Sequence, residues 1–402
     1  MQSEDDCQTP VPGGGAGLLL TLLRDGRTRT LAELARLSGL PRSTVQQRLD
    51  LLVRRGWAAA SGTPAVTRGR PATAYAYEPG GRIVLSAALG ATHGRLAIAD
   101  LGLRVLAERP VEVPIGPDPG ESLERLAVIF EEMLAETGNG RGDVCGVGVG
   151  LPGPVDHATG RPANPPIMPG WDGFPVPDWL GSRFGAPVLV DNDVNVMALG
   201  EHWTMRPQAE HLIFVKIGSG IGCGIISGSA LHRGAQGAAG DIGHIQVASA
   251  GEARCQCGNH GCLEAVVGGA AMAAVLRSEG VEARGGRDVV ALLRAGDTRA
   301  GGLVRQAGRD VGAVMASIVN FFNPSTIVVG GDIAEAGEQL LAGLRETIYR
   351  RSLPLATQHL TIRVSTLGER AGVLGAAVMA VEHVLAPDTI DLSMAIDPAA
   401  FA

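Results

Sequence analysis

The sequence predicts two parts: a small helical N-terminal module with a β-wing, and a larger, internally duplicated α/β body. Three observations support this fold class. The chain has 402 residues, which is long for a single hydrophobic core. A helix–turn–helix pattern followed by a hairpin pattern occupies roughly the first 80 residues. Beyond residue 82, strands alternate with helices, and a strand–glycine–strand pattern occurs at Gly90 and again at Gly218.

Charge is distributed unevenly along the chain. Residues 1–12 contain three acids and are expected to form a disordered acidic tail. Residues 13–80 contain ten arginines, no lysine and four acids, which gives a net charge of +6. Since the whole chain carries −7, the body at 81–402 must carry −10. A basic module on an acidic body predicts a polyanion partner for the module.

Composition predicts a cytoplasmic protein that does not associate with membranes. Hydrophobic residues make up 45% and charged residues 19%, as in ordinary globular proteins. Three of the six cysteines are clustered, which indicates metal binding in a reducing compartment and not a disulfide framework. The N-terminus lacks the basic region of a signal peptide, and the apolar run at 18–23 is too short to span a bilayer.

The first two helices of the module have clear boundary signals. Residues 16–25 predict one helix, which Gly26 ends. Thr30 followed by Glu33 matches a capping box, so a second helix is expected over 31–37.

A turn at 38–40 leads to a third helix, and Pro41 suits its first turn. Its predicted apolar face consists of Val45, Leu49 and Leu52. Its polar face consists of groups able to reach base edges and phosphates in a DNA major groove, namely Arg42, Ser43, Thr44, Gln46, Gln47 and Arg48. Helix, short turn and polar helix together match the helix-turn-helix arrangement.

A predicted hairpin follows the third helix. A strand starts near Gly56, and a second covers 74–77; Arg68 and Arg70 lie at the tip between them. Such a wing places arginine in a narrow minor groove, which favours a winged helix-turn-helix DNA-binding domain over 13–80. Two alternatives remain open at this point: a helical domain that only docks on the body, and a module that binds another protein.

In the body, the pattern predicts two rounds of strands and helices. The first round has strands at 83–90 and 95–99, a helix at 121–136 and a strand at 144–151. The second has a strand at 212–217, a glycine turn at 218–224, a return strand at 225–226, a helix at 300–322 and a strand at 326–329. Glycine turns let backbone N–H groups approach phosphate. With the glycine pair 330–331, these turns resemble the nucleotide cleft of actin- and hexokinase-like ATPases, whose two lobes we expect at about 81–195 plus the C-terminal end, and 196–380.

Four potential metal ligands fall within the segment 244–262: His244, Cys255, Cys257 and Cys262. Three thiolates and one imidazole match the ligand set of a closed, tetrahedral structural zinc site. Soft sulfur ligands disfavour magnesium and calcium. The alternative is a set of buried or disulfide-forming cysteines, although two cysteines separated by one residue are poorly placed to bond with each other.

Several motifs together resemble the ROK family of repressors and sugar kinases. They are 151–156 (Leu-Pro-Gly-Pro-Val-Asp), 164–166 (Asn-Pro-Pro) with Trp171, 192–195 (Asn-Asp-Val-Asn) with 200–201 (Gly-Glu), 218–222 (Gly-Ser-Gly-Ile-Gly), 240–244 (Gly-Asp-Ile-Gly-His) and the cysteine motif up to Glu264. The resemblance covers nearly the whole chain. Members that resemble sugar kinases usually lack an N-terminal DNA-binding module, whereas the regulators carry one.

The resemblance implies a monosaccharide pocket. Its predicted residues are Asn192, Asp193, Asp241, His244 and Glu264, with Asn164 as a further candidate. Fixed carboxylates and amides can satisfy the paired donors and acceptors of sugar hydroxyls. In the kinases, the aspartate at position 193 would accept the proton of the attacking hydroxyl. The family usually has glutamate at position 241, so the shorter Asp241 leaves the identity of the sugar open. On its own, the Asn192-Asp193 pair would predict only a polar turn.

The first glycine hairpin departs from the kinase pattern. Kinases of the family have Asp-x-Gly-Gly-Thr there, whereas this chain has Ala88, Gly90, Ala91 and Thr92. Alanine has no oxygen for the magnesium–phosphate assembly, so neither ATP nor magnesium is expected to bind. The resemblance therefore implies a non-catalytic repressor of carbohydrate metabolism that binds operator DNA as a homodimer or homotetramer, with a monosaccharide or sugar phosphate as its effector. The alternative is an ATP-dependent, glucokinase-like sugar kinase.

Overall fold

The computed structural model describes residues 15–61, 73–90, 93–112 and 115–395. The N-terminal module contains α1 (Ala16–Leu23), β1 (Arg29–Thr30), α2 (Leu31–Ser38), α3 (Arg42–Arg54), β2 (Ala58–Ser61) and β3 (Ala74–Tyr77). Strand β3 pairs antiparallel with both β1 and β2. Three helices and a small three-stranded sheet confirm the predicted fold of the module. The first helix ends two residues earlier than predicted, because Gly26 has a positive φ of 81° and its amide closes a tight turn onto Leu23.

Local sequence signals fix the two central helices of the module. The amide of Thr30 donates to the Glu33 carboxylate at 2.8 Å, and the amide of Glu33 donates to the Thr30 hydroxyl at 3.3 Å, so the predicted capping box is present. Gly39 ends α2 with a φ of 71°, a conformation that glycine adopts without strain. The predicted apolar face of α3 is fully buried, at Val45, Leu49 and Leu52.

The first half of the body contains β4 (Ile83–Leu89), β5 (Gly94–Asp100), β6 (Val105–Val111), α4 (Pro119–Glu136), β7 (Val144–Leu151), β8 (Val155–Asp156), β9 (Arg161–Pro162), α5 (Val176–Phe184), β10 (Val188–Asn192) and α6 (Asp193–Thr204). Five of its strands form a sheet in the order β6-β5-β4-β7-β10. Strand β4 is antiparallel to β5 and parallel to β7. Helices α4 and α5 cover this sheet around a core that includes Phe130 and Trp171.

The second half contains β11 (Leu212–Ile217), β12 (Ile221–Ser227), β13 (Ala230–His232), α7 (Glu264–Val267), α8 (Gly269–Ser278), α9 (Gly286–Arg294), α10 (Thr298–Phe322), β14 (Thr326–Gly330), α11 (Glu338–Arg351), α12 (Pro354–Thr357), β15 (Thr361–Val364), α13 (Arg370–Val384) and α14 (Pro387–Ala395). Its sheet has the order β13-β12-β11-β14-β15. Strand β11 is antiparallel to β12 and parallel to β14.

The two sheets have the same topology. In each sheet, the first strand in chain order is central. The next two strands lie on one side of it, each antiparallel to its neighbour, and the last two lie on the other side, each parallel to its neighbour. This repetition confirms the predicted internal duplication and the actin- and hexokinase-like fold. The glycine turn of the second hairpin is shorter than predicted, because the segment 221–224 pairs with β11 and belongs to strand β12.

Helices α6 and α13 pack closely between the two sheets. A Cβ atom on Gly375 would lie 1.6 Å from the Val196 carbonyl oxygen, and one on Gly200 would lie 2.2 Å from the Ala371 carbonyl oxygen. Glycine at these two positions therefore lets the backbones approach. Helix α13 also contacts β4 and β7 of the first sheet, although the sequence-based division placed residues up to 380 in the second lobe.

The N-terminal module shares a hydrophobic core with the body. Leu19 and Leu49 of the module belong to the same buried cluster as Val84 of β4, Val381 of α13 and Ile390 of α14. Because no hydrophobic boundary separates the two parts, the module is held at a defined position on the first lobe.

Across the described residues, no single helix combines the length and hydropathy needed to cross a membrane. One bent pair, residues 370–384 with 387–394, meets the length and composition criteria together. Most of α13 is buried in the body, as expected for a core helix.

Candidate functional site

Helix α3 presents a polar face at the surface of the module. Arg42, Ser43, Gln46 and Gln47 are exposed, and Thr44 and Arg48 are half-buried. The Gln46 amide donates to the Asp50 carboxylate at 2.7 Å and to the Tyr75 hydroxyl at 3.3 Å, which connects α3 to the small sheet. Four of the six predicted DNA-contacting residues of this helix are therefore exposed, and the other two are partly accessible. The two predicted wing arginines, Arg68 and Arg70, lie outside the described residues.

Polar contacts fix the module against the C-terminal helix. The amides of Gly15 and Gly17 donate to the two carboxylate oxygens of Asp391, at 3.0 and 2.8 Å. The Arg55 guanidinium donates to the Ser393 carbonyl oxygen at 2.6 Å. A Cβ atom on Gly17 would lie 2.2 Å from the Pro387 carbonyl oxygen, so α1 and α14 are in close contact. The first and last helices of the described chain, α1 and α14, therefore pack against each other.

The predicted metal ligands converge on one point of the second lobe. His244 Nδ1 lies 3.7 Å from Cys255 Sγ, Cys257 Sγ lies 3.8 Å from Cys262 Sγ, and all four ligand atoms lie within 4.8 Å of one another. A tetrahedral zinc ion with Zn–S bonds of about 2.3 Å separates its sulfur ligands by roughly 3.8 Å. The cluster can therefore hold a metal ion, and its spacing suits zinc.

The electrostatics of this cluster differ from one thiol to the next. Desolvation by burial raises the pKa of Cys262 to about 12, whereas a hydrogen bond from the Asn259 amide lowers the pKa of Cys257. A divalent cation would favour the thiolate form of every member.

An open cleft of about 1100 Å³, including its mouth, lies between the two sheets. Its wall contains Ala88 and Gly90 of the first hairpin, Gly218 and Ser219 of the second, and the glycine pair 330–331. The structure therefore brings together the three glycine segments that the sequence analysis assigned to a nucleotide-type cleft. Ala91 and Thr92 lie outside the described residues.

Asp193 lines this cleft and is the first residue of α6. Its side chain is only 10% exposed and accepts a hydrogen bond from Lys216 Nζ on β11. This ion pair joins the two lobes, because α6 follows the first sheet and β11 belongs to the second. Asp193 was predicted from the sequence as a site residue, whereas Lys216 was not.

Asn192 caps helix α6. Its Oδ1 accepts hydrogen bonds from the amides of Val194 at 2.9 Å and Asn195 at 3.4 Å, and its Nδ2 donates to the Gly153 carbonyl oxygen at 2.9 Å. Since an asparagine amide has only two N–H donors and one oxygen, a single N–H is left for a ligand. Asn192 therefore mainly positions Asp193.

Glu264 connects the metal-binding cluster to the second hairpin. One of its carboxylate oxygens accepts a hydrogen bond from the Ile221 amide at 3.0 Å, and the other lies 3.9 Å from Cys255 Sγ. Desolvation raises the pKa of nearby Asp241, an effect that Glu264 reinforces and His244 opposes. Asp241, His244 and Glu264 thus form one electrostatic group beside the loop that carries the potential metal ligands.

Asn164 lies farther along the first lobe, in the loop after β9. It is exposed, has a positive φ of 44°, and its amide donates to the Asp172 carboxylate at 2.7 Å. The adjacent Pro165 packs near Gly153, the residue that accepts the hydrogen bond of Asn192. The loop therefore reaches the segment next to the cleft, although the structure gives Asn164 itself no contact with Asp193.

Ion pairs that were not predicted from the sequence also connect the lobes. Glu369 accepts from Arg95 of the first lobe at 2.7 Å and from Arg287 of the second at 2.6 Å. Asp191 accepts from Arg233 at 2.6 Å, so a second bridge joins β10 to the loop after β13. No local pattern in the sequence indicates these pairs, because their members are about 40 to 270 residues apart. Lys216 did have a sequence signal, since it is the only lysine in the chain.

Comparisons with known proteins agree with this architecture. The model of the ROK family matches residues 84–383, and that of the IclR helix-turn-helix domain matches residues 16–62. The xylose repressor of Caldicellulosiruptor bescii is 27% identical over 382 residues, covering 92% of this chain and 95% of the relative. A glucokinase of Halalkalibacterium halodurans is 32% identical over 282 residues, covering 66% and 85%.

Solved structures point to the same family. A ROK-family transcriptional regulator described as a homologue of the Escherichia coli MLC protein superposes with a TM-score of 0.80 at 26% identity, covering 96% of this chain and all of that structure. The family model spans well over half of the chain, and the similarity to the regulator includes the N-terminal module. The chain therefore belongs to the ROK family and carries an IclR-type helix-turn-helix domain at its N-terminus.

Proposed function

We propose that this protein is a DNA-binding transcriptional repressor of carbohydrate metabolism. Its operator affinity is set by a monosaccharide or sugar phosphate that binds in the cleft of the body. The observation that carries the proposal is the combination of a helix-turn-helix domain and a ROK body in one shared hydrophobic core. The relative named as a xylose repressor is similar over almost its whole length, which supports the same combination of functions here.

The first hairpin argues against phosphoryl transfer. Ala88 lines the cleft beside Asp193 and both glycine segments of the second lobe, where a carboxylate would face a magnesium-bound phosphate. Loss of one such anchor removes several kcal/mol of transition-state stabilisation. We therefore propose that the cleft binds its ligand without reacting with it.

A sugar kinase is the second candidate function. In its favour are the buried Asp193, the intact second hairpin and the similarity to a glucokinase over two thirds of the chain. A coupled assay with ATP, magnesium and a panel of sugars separates the two candidates. The repressor proposal predicts no turnover above background; turnover near 1–10³ s⁻¹, the range of ordinary enzymes, would establish the kinase instead.

The metal-binding cluster is proposed to hold structural zinc. His244, Cys255, Cys257 and Cys262 supply four ligands and leave no open position for a substrate, as in structural sites. Bound zinc would fix the loop that precedes Glu264, and so would hold the carboxylates of Asp241 and Glu264 beside the second hairpin.

Signal transfer is proposed to run through helix α13. This helix packs on α6 of the cleft and belongs to the same core cluster as the module. A ligand that favours one angle between the lobes would shift the position of the modules in a homodimer or homotetramer, provided that it binds the two arrangements with unequal affinity. Such coupling is typically about 1–3 kcal/mol, which corresponds to several-fold or larger changes in operator occupancy.

The proposed binding to DNA is tested with a fragment of the promoter of the protein's own gene. We expect binding that weakens as salt increases, because phosphate contacts release counterions. Arg42→Ala should reduce affinity and lower the slope of log affinity against log salt by about one if Arg42 contacts a phosphate. The matched control is Arg125→Ala, since Arg125 lies on the exposed side of α4 in the body. Equal binding by both variants would remove α3 from the proposed interface.

The cytoplasmic location remains a prediction from sequence.

A further inference from the structure

Glu369 lies in the wall of the cleft and binds one arginine from each lobe. Arg95 Nη2 donates to one oxygen of the carboxylate at 2.7 Å, and Arg287 Nη2 donates to the other at 2.6 Å. Arg95 belongs to β5 of the first lobe, whereas Arg287 belongs to α9 of the second. A single carboxylate of the chain therefore joins two guanidinium groups that come from opposite sides of the cleft.

The position of this carboxylate has the features of an anion site. Arg95 pairs with Ala88 in the first hairpin, and His93 of the same hairpin lies 3.2 Å from Arg287. Glu369 directly precedes α13, where the dipole of the helix favours negative charge. Guanidinium groups bind carboxylates and phosphates with the same planar geometry. A phosphate group of a ligand would therefore compete with Glu369 for the same two arginines.

Alternating charges continue on both sides of Glu369. The network contains three arginines and three carboxylates, in the order Arg370, Glu108, Arg95, Glu369, Arg287 and Asp332. The hydrogen bond from Arg95 and the charge of Arg287 hold the pKa of Glu369 below its usual value, whereas partial burial opposes them. Glu369 is therefore ionised at neutral pH and balances the network. Loss of its charge would leave three cations against two carboxylates.

A second ion pair on helix α9 provides a contrast. Arg294 Nη2 lies 2.9 Å from a carboxylate oxygen of Glu335, which lines the same cleft. The Glu335 side chain is 55% exposed and that of Glu369 is 46% exposed, so solvent screens the two charges to a similar extent. Arg294 and Glu335 both belong to the second lobe, however, and their ion pair does not cross the cleft.

We propose that Glu369 is a built-in substitute for a ligand phosphate. Its carboxylate occupies an anion-binding position between Arg95 and Arg287, so that the two lobes are joined by the chain itself and not by a bound nucleotide. Because Glu369 directly precedes α13, the same bridge fixes the start of the helix that reaches the core of the N-terminal module. Neither part depends on the identity of the effector or on binding to DNA.

Binding of inorganic pyrophosphate tests the anion position. Calorimetry without magnesium compares the unmodified protein with Glu369→Gln, which keeps the shape of the side chain and removes its charge. We expect the variant to bind pyrophosphate at least about tenfold more tightly, because both arginines lose their internal anion. Glu335→Gln is the matched control: it removes the same charge from the same cleft and should show no gain. The arginines of the N-terminal module are identical in all three proteins, so binding there cancels.

No gain in Glu369→Gln, or an equal gain in both variants, would overturn the proposal. Hydrogen exchange adds a second readout on the same proteins. Amides in α9 and α13 should exchange several-fold faster in Glu369→Gln, and saturating pyrophosphate should slow them again, because the anion restores the link between Arg95 and Arg287. Exchange that stays fast at saturation would show that the bound anion does not replace the carboxylate.

Arg287→Met tests the bridge with Glu369 left in place. The variant removes the partner from the second lobe, so amide exchange in α13 should speed up although the substitution lies on α9. Arg294→Met is the matched control, since it breaks an ion pair on the same helix that stays within the second lobe. Unchanged exchange in α13 of Arg287→Met, or the same increase in Arg294→Met, would contradict the bridge.

Discussion

The two halves of the body share one sheet topology, yet the glycine hairpins that they contribute to the cleft differ in chemistry. In the first lobe the hairpin position that faces the cleft is Ala88, which offers no polar side-chain atom; in the second lobe the equivalent position is Lys216, which pairs with Asp193. The lobes also differ in what they carry: strand β4 of the first packs against the N-terminal module, together with α13 and α14, and the second carries the four potential metal ligands. A duplicated scaffold can thus keep its fold while the chemistry of its two halves diverges.

The largest expected effect concerns the metal-binding cluster, which has no counterpart among the described residues of the first lobe. Cys257→Ser should abolish stoichiometric zinc binding, measured by atomic emission, and lower the melting temperature by more than about 10 °C. Structural zinc contributes about 10–16 kcal/mol in small peptides, and each kcal/mol shifts the melting temperature of a domain this large by about 2–4 °C. Cys145→Ser is the control, because Cys145 lies on β7 and donates only to the Ile83 carbonyl oxygen. Full zinc content in Cys257→Ser would refute the site.

The contact between the lobes is the next most sensitive element. Gly375→Ala should cost about 3 kcal/mol or more, because the new Cβ would lie 1.6 Å from a backbone carbonyl oxygen of α6 and force α6 and α13 apart. Gly302→Ala is a matched control on the exposed face of α10, where a Cβ meets nothing within 4 Å; it should be neutral or stabilise by up to about 1 kcal/mol. Calorimetric melting compares the two. Similar melting temperatures for Gly375→Ala and Gly302→Ala would show that α6 and α13 have room for a side chain at their contact.

A smaller effect is expected where helix α14 meets the module. Asp391→Ala leaves the amides of Gly15 and Gly17 without their acceptor and should weaken local stability by about 1–2 kcal/mol. Hydrogen exchange should then speed up in α1 and α14, and the effect of sugar on operator affinity should decrease. Asp388→Ala, an exposed change on the same helix, should do neither. Unchanged hydrogen exchange in α1 and α14 of Asp391→Ala would show that other contacts attach the module to the body.

The smallest effect directly tests the difference between the hairpins. Ala88→Asp combined with Lys216→Thr restores a carboxylate in the first hairpin and removes the cation from the second. We expect the double variant to bind magnesium–ATP at least about tenfold more tightly than the unmodified protein, a gain of about 1.4 kcal/mol. Calorimetry on both single variants shows how much each change contributes. If none of the three variants binds magnesium–ATP more tightly than the unmodified protein, residues other than Ala88 and Lys216 prevent nucleotide binding.

The sequence was sufficient for the parts of the fold that depend on local signals. The capping box at Thr30, the apolar face of α3 and the repeated strand–glycine–strand pattern each reflect forces that act within a few residues or a fixed period, and the structure confirms them. The convergence of the four potential metal ligands was also predictable, because their spacing within one loop is itself the signal.

Contacts between distant segments could not be predicted in this way. The bridge from Arg95 through Glu369 to Arg287 depends on the angle between the lobes, and the docking of α14 on α1 brings together opposite ends of the chain. Asn192 was selected for its chemistry, but its use as a helix cap depends on where α6 begins. The absence of lysine elsewhere in the chain was a usable signal for Lys216, since it requires only a count.

The most direct test of the account is the affinity of the full-length protein for its operator fragment, measured by fluorescence anisotropy with and without a saturating uncharged monosaccharide and with no nucleotide present. We expect a several-fold or larger change in affinity, in keeping with a coupling of about 1–3 kcal/mol. Identical affinity at saturation with a sugar that calorimetry shows to be bound would contradict it.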